Sequence, residues 1–217
     1  MDFELGLFVE SLPALLKGAH LTITLTLVCA ILGLVAGIIG GLARVSSYPI
    51  FYIPALVFVI LMRGVPTLVT ILFLYYGLPS IGVVWDPFAV AVLALSLTNG
   101  AYVTEIVRAG IQGVDRGQMR AARSLGMSYT LAMRRIVLPQ ALRRVLPPIT
   151  NESITLLKNT SLVSVIALSD LLRSGMEIMT WKANTFSPFA GVALIYLSLT
   201  LPLVGLNAYL ERKYRIS

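Results

Sequence analysis

Apolar and charged positions divide the chain into long stretches without a formal charge, separated by short charged segments. Lys17 and Arg44 enclose 26 uncharged residues, and Lys182 and Glu211 enclose 28. A transmembrane helix needs about 20. Between them, uncharged runs of 22 and 18 residues cover 64–85, after Arg63, and 87–104, before Glu105. The stretch 145–171 is apolar with interspersed polar residues. The pattern predicts an all-α integral membrane protein with five transmembrane helices, at about 18–43, 50–77, 88–109, 145–171 and 186–210.

Composition agrees. The 217 residues are 57% apolar and 12% charged, against about 25% charged in soluble domains, which excludes an ordinary water-soluble fold. The net charge of +7 would suggest nucleic acid in a soluble protein, but the positions of the charges give it another meaning. Cytoplasmic loops retain Lys and Arg. With the N-terminus outside and the C-terminus cytoplasmic, the cytoplasmic side receives Arg44, Arg108, Arg116, Arg120, Arg123, Arg134, Arg135, Arg143, Arg144, Arg212, Lys213 and Arg215. The other side receives only Lys17, Arg173 and Lys182, while Arg63 and Lys158 fall within spans. The positive charge is therefore read as a topology signal, and no nucleic-acid partner is expected. Asp2, Glu4 and Glu10, without a basic leading segment, do not resemble a cleaved signal peptide, so the first helix is expected to stay.

Chemistry of the catalytic kind has little to build on. Cys29 and His20 are each the only residue of their type, so neither a disulfide framework nor a histidine metal cluster is available. No G-x-x-x-x-G-K-[ST] sequence occurs, so the chain has no phosphate-binding loop of its own for ATP.

The longest loop, 110–144, reads as two short helices. Gly126 can take the left-handed conformation that ends the first, Ser128 can cap the second, and Pro139 is expected to limit the second from behind. Neither helix is long enough to be stable alone, so something must pack on this loop. Ala121 and Ala122 would let another surface approach closely. Docking of a partner, packing on the chain's own helices, and contact of the arginines with anionic lipid are all compatible with these residues.

Polar groups within spans are costly and face protein or a water-filled path. On an ideal helix Asn151, Glu152, Thr155, Lys158, Asn159, Ser169 and Asp170 share an arc of about 120°. This face either lines a pathway or holds helices together. Glu105 and Arg108, three apart, are read as a structural ion pair. Arg63 precedes Gly64-x-Pro66, where proline should kink the second span and free carbonyls for the guanidinium or a ligand. Gly33, Gly37 and Gly41 recur every four residues, a helix-packing pattern.

Several of these residues also form a known pattern. Ala121-Ala122, three residues, Gly126, nine residues, then Ile136-x-Leu138-Pro139 resembles the cytoplasmic "EAA" loop of permease subunits of bacterial ATP-binding-cassette (ABC) importers. Arg63-Gly64-Val-Pro66, Tyr102-x-x-Glu105-Ile-x-Arg108-x-Gly110, Gly117-Gln118, Leu138-Pro139-Gln140-Ala141-Leu-Arg143, Leu157-Lys158-Asn159-Thr160-Ser161-Leu162 and Leu210-Glu211-Arg212 are similar to the polar amino acid permeases. The resemblance implies a type I ABC importer permease fold, with residues 1–217 a single transmembrane permease domain in a bacterial inner membrane. Its implied partners are two ATPase subunits that bind ATP and Mg, a second permease subunit, identical or homologous, and an extracytoplasmic binding protein. The solute would be a polar amino acid, and no cofactor would reside in this chain. Gly117, Gln118, Arg120, Ala121, Ala122, Gly126, Met127, Tyr129, Ile136, Leu138 and Pro139 would form the ATPase-coupling loop. Arg63, Asn151, Glu152, Thr155, Lys158, Asn159 and Asp170 are candidates for the substrate pathway.

Two positions depart from the family pattern. Arg120 and Asn159 stand where the family often has an acid. Arg120 is expected in the first turn of a helix, where a base costs about 0.3–1 kcal/mol against the helix dipole. The ionisable residues alone would also allow a self-contained channel or secondary transporter, and the basic loop alone a membrane anchor that recruits a soluble partner.

Overall fold

The computed structural model describes residues 3–214, and every regular element among them is a helix. α1 runs unbroken over Leu5–Arg44 with Pro13 inside it. At 1.5 Å per residue it is about 60 Å long. The helix thus begins well before the apolar run at 18–43 that predicted it.

α2 spans Pro49–Gly64, and the expected second span does not continue straight to residue 77. Pro66 has no N–H to give, and its ring forces the preceding residue into extended geometry; Val65 has φ −105 and ψ 131. The chain resumes as α3, Thr67–Leu72, and continues through a π turn and a 3₁₀ turn to Ile81. The two halves are bent by 99°.

Asp86 caps α4, Pro87–Gln112, by accepting from the backbone N–H of Phe88 at 2.9 Å. α4 is the central helix, and its contact with α1 is the most extensive in the chain. Glycine spacing explains that contact: a methyl group at Gly37 would collide with Val103, and one at Gly41 would come within 2.5 Å of Val107. Leu25 and Cys29 of α1, Val90, Ala91 and Leu95 of α4, Ile71 of α3 and Leu156 beyond them form the main buried core.

α5 covers Arg116–Ser124 and α6 Tyr129–Ala132. α6 does not stop at Pro139. It passes through a π turn, Met133–Val137, into α7, Leu138–Asn159. Pro139 directly follows the π turn, where the ordinary hydrogen-bond ladder is already interrupted, so the proline marks a junction and not an end. The expected helix to residue 171 is also shorter. After Asn159 the chain tightens into a 3₁₀ turn, Thr160–Ile166, and Ala167 is left-handed with φ 61. α8, Leu171–Lys182, and α9, Phe186–Lys213, complete the fold.

α1, α4 and α9 are each long and apolar enough to cross a membrane, and α2 with α3 and its continuation can form one bent crossing. α7 has 22 residues, about 33 Å, but Arg143, Arg144, Glu152 and Lys158 keep it from qualifying on composition.

Candidate functional site

The polar residues of α7 lie together on one side. Asn151, Thr155 and Lys158 are exposed, and Glu152 and Asn159 are half-buried beside them. Arg144 and Pro148 extend the same arc toward the loop. Glu152 Oε1 accepts from Asn99 Nδ2 of α4 at 3.4 Å. Lys158 has no carboxylate partner among the described residues.

Ser169 and Asp170 do not continue this face, because α7 has ended by then. Asp170 is fully buried and caps α8, accepting from the N–H groups of Leu172 at 3.2 Å and Arg173 at 3.0 Å. Thr22 of α1 accepts from Leu171 N beside it at 3.2 Å. The Tyr196 hydroxyl faces Asp170 without a hydrogen bond of ordinary geometry. Asp170 thus serves as the buried cap of α8, apart from the polar face of α7, while Thr22 holds the start of α8 to α1.

At the other end of α4, Glu105 gathers more than the one arginine that spacing predicts. Arg108 donates Nε and Nη2 to Glu105 Oε2 at 2.9 and 2.7 Å, and Arg44 at the end of α1 donates Nε to Oε1 at 3.2 Å. Arg63 approaches at 4.0 Å and lies over the Tyr102 ring, 5.1 Å from its centroid; Arg44 lies over Tyr52 of α2 at 4.8 Å. Glu105 therefore joins α1, α2 and α4. Arg44 lies 61 positions away in sequence, so no local spacing rule could find it. A cavity of about 500 Å³ opens here, lined by Arg63, Tyr102, Glu105, Arg108, Arg144 and Pro148.

The 110–144 loop has two sides. Asp115 caps α5 by accepting from Gly117 N at 2.7 Å, so the helix starts at Arg116 and Arg120 is its fifth residue. Arg120 is exposed and outside the first turn, so the dipole cost expected there does not apply. Ala122 is buried, contrary to an approach by an external surface at that position, and Met119 packs toward Val103, Val107, Val137 and Ala141. Gln118 accepts from Gln140 Nε2 at 3.4 Å, and the Ile136 carbonyl accepts from the same amide at 2.9 Å. One side of the loop is thus anchored on its own chain. Gly126 is left-handed with φ 81, Met127 N donates to the Ala122 carbonyl at 3.2 Å, and Ser128 accepts from Leu131 N at 3.2 Å. Gly117, Ile136 and Leu138 are half-buried and Pro139 is exposed. The outer side presents Ala121, Tyr129 and Leu125, the last 84% exposed. The motif pattern did not single out Leu125, although a leucine in so basic a loop was a signal.

Residues 20–216 match the family described as "binding-protein-dependent transport system inner membrane component". The chain is 37% identical to the "Arginine transport system permease protein ArtQ" of Bacillus subtilis (strain 168), covering 99% of each chain. It is 35% identical to the "Glutamine transport system permease protein GlnP" of Escherichia coli (strain K12) over the full length of both. Among solved structures it superposes on an amino acid ABC transporter crystallised with histidines at a TM-score of 0.93 and 37% identity, covering 98% of this chain and 100% of the other. The methionine ABC transporter MetNI shares the fold at a TM-score of 0.76 and 18% identity, covering 92% and 95%. A family match over nearly the whole chain, on a helical fold of this kind, makes the chain a member of the binding-protein-dependent transport system inner membrane components.

Proposed function

We propose that this permease subunit conducts a polar amino acid across the bacterial inner membrane as part of an ABC importer. The observation that carries the reading is the continuity of one helical run. From Tyr129 to Asn159 the chain stays helical, so the outer side of the loop is mechanically joined to the polar face of α7. A partner that moves Tyr129 thereby moves Asn151, Glu152, Thr155, Lys158 and Asn159. Polar groups at membrane depth are retained where they meet water or each other, which supports their lining the pathway.

In this reading residues 1–217 are one domain with the N-terminus outside and the C-terminus cytoplasmic. α1, the bent α2–α3 segment, α4, α7 and α9 are its five crossings. Two ATPase subunits, which bind ATP and Mg, dock on the loop, a second permease subunit completes the pathway, and an extracytoplasmic binding protein delivers the solute. Relatives named for arginine and glutamine transport support an amino acid as that solute.

The test is reconstitution of the complex in proteoliposomes with labelled glutamine and arginine. Uptake of at least one that requires ATP and the ATPase subunits is expected, with Lys158→Ala lowering it. Uptake that proceeds without ATPase subunits would mean a self-contained channel or secondary transporter.

A further inference from the structure

We infer that the cavity between α2, α4 and α7 is a second solute subsite, an anion site that takes the carboxylate of the amino acid at the cytoplasmic end of the pathway. The inference rests on the reading of the chain as an amino acid permease. Three guanidiniums, those of Arg63, Arg108 and Arg144, line the cavity with a single carboxylate, Glu105, which Arg44 engages from outside the cavity. Both oxygens of Glu105 are already engaged, Oε1 by Arg44 and Oε2 by two N–H groups of Arg108. The cavity is left with excess positive charge. Arg63 reaches Glu105 only at 4.0 Å, and Arg144 has no acidic partner among the described residues. Arg144 extends across the end of α4, 3.6 Å from where a methyl group on Gly113 would sit.

A planar guanidinium matches a carboxylate with two parallel hydrogen bonds. The volume of about 500 Å³ lies in the range of about 300–1,000 Å³ typical of small-molecule sites. Basic pockets between helices also attract anionic lipid headgroups. Continuity with the α7 face favours the solute: Arg144 and Pro148 lie on the same arc as Asn151, Thr155 and Lys158, and Arg144 is about 21 Å along the axis from Lys158. A solute leaving that face meets this cavity next.

The consequence is regulatory. Arg108 already donates from all three nitrogens to Glu105 and Gln112, so the carboxylate bridges Arg63 on α2 and Arg144 on α7 and pins α2 to α7, which carries one end of the coupling loop. A ligand that binds one arrangement better than another shifts the population toward it. Amino acid accumulating inside therefore slows the next transport cycle.

The experiment uses proteoliposomes of the complete importer, loaded internally with whichever of L-glutamine and L-arginine it carries, or with the corresponding amide, which lacks the carboxylate. Each rate is normalised to the same preparation without internal solute. The internal amino acid is expected to slow ATP-dependent uptake and the amide is not. Arg144→Gln should raise the half-inhibiting concentration about tenfold, the loss of one charge-assisted hydrogen bond, and Arg144→Lys should recover part of it. Equal inhibition by the amide, an unchanged Arg144→Gln response, or a dependence on anionic lipid content in place of internal solute would overturn the inference. The amide comparison needs no variant and stands even if Arg144→Gln fails to assemble. Absence of any ATP-dependent uptake counts against the proposed function, whereas uptake indifferent to internal solute counts against this subsite alone.

Discussion

Replacing Glu105 by alanine tests the arginine cluster most directly, because it removes the one carboxylate that several cations share. Arg108 has a side chain 28% exposed and can turn toward solvent. Arg44 cannot: its side chain is 10% exposed, and its Nη1 has no hydrogen-bond partner even with Glu105 in place. Breaking a buried ion pair by deleting one partner costs about 3–5 kcal/mol, because the remaining charge stays buried. Glu105 retains 17% exposure, which admits some screening, so the expectation is the lower end, about 3 kcal/mol. For a chain of this size that is a fall of roughly 6–12 °C in thermal midpoint, measured on the purified permease in detergent. Glu105→Gln keeps an acceptor for Arg44 and should lose less. The pair Arg44→Met with Glu105→Leu removes charge and partner together and should recover most of the loss. A Glu105→Ala variant as stable as the parent, or a double variant less stable than the single, would refute the argument that Arg44 depends on Glu105.

Two further outcomes follow from packing and exposure. Gly37→Ala forces a methyl group into Val103 of α4 and should cost about 1–3 kcal/mol as overpacking, whereas Gly205→Ala in α9, with nothing within 4 Å of the new atom, should gain about 0.5–1 kcal/mol from helix propensity; thermal midpoints of the two variants check the contrast, and equal shifts would show that the α1–α4 contact is not tight. Leu125→Asp should leave the thermal midpoint unchanged, since the side chain is exposed, while lowering ATPase turnover of the assembled complex; a drop in midpoint without a change in turnover would show that Leu125 serves the fold.

Much of the helical layout was legible in the chain because it depends on local properties. Long uncharged runs marked α1, α4 and α9, Gly126 and Ser128 marked the break between α5 and α6, and Pro66 marked a disturbance in the second apolar stretch. The errors arose where a local rule was extended through a junction. Pro139 was read as a stop, yet directly after a π turn its missing N–H falls where the ordinary ladder is already interrupted, and the helix continues. Asp170 was placed on the α7 face by an ideal helical wheel, which assumes that the helix persists; the chain tightens after Asn159 and the carboxylate becomes the cap of α8. Arg120 was assigned to a first turn because the position of the helix start depends on Asp115, whose capping bond is a matter of geometry.

The sequence by itself determined the class of molecule, the apolar runs suited to a membrane, the loop with the permease pattern and the Glu105–Arg108 pair, since each depends on residues close together along the chain. Tertiary structure decided which side of the loop is free, that Arg44 and Arg63 converge on Glu105, and that Arg144 completes a cationic cavity. Those contacts join α1, α2, α4 and α7 across separations for which the chain carries no periodic signal; only the packing of α1 against α4 through their glycine-spaced faces, with α7 alongside, brings the charges together.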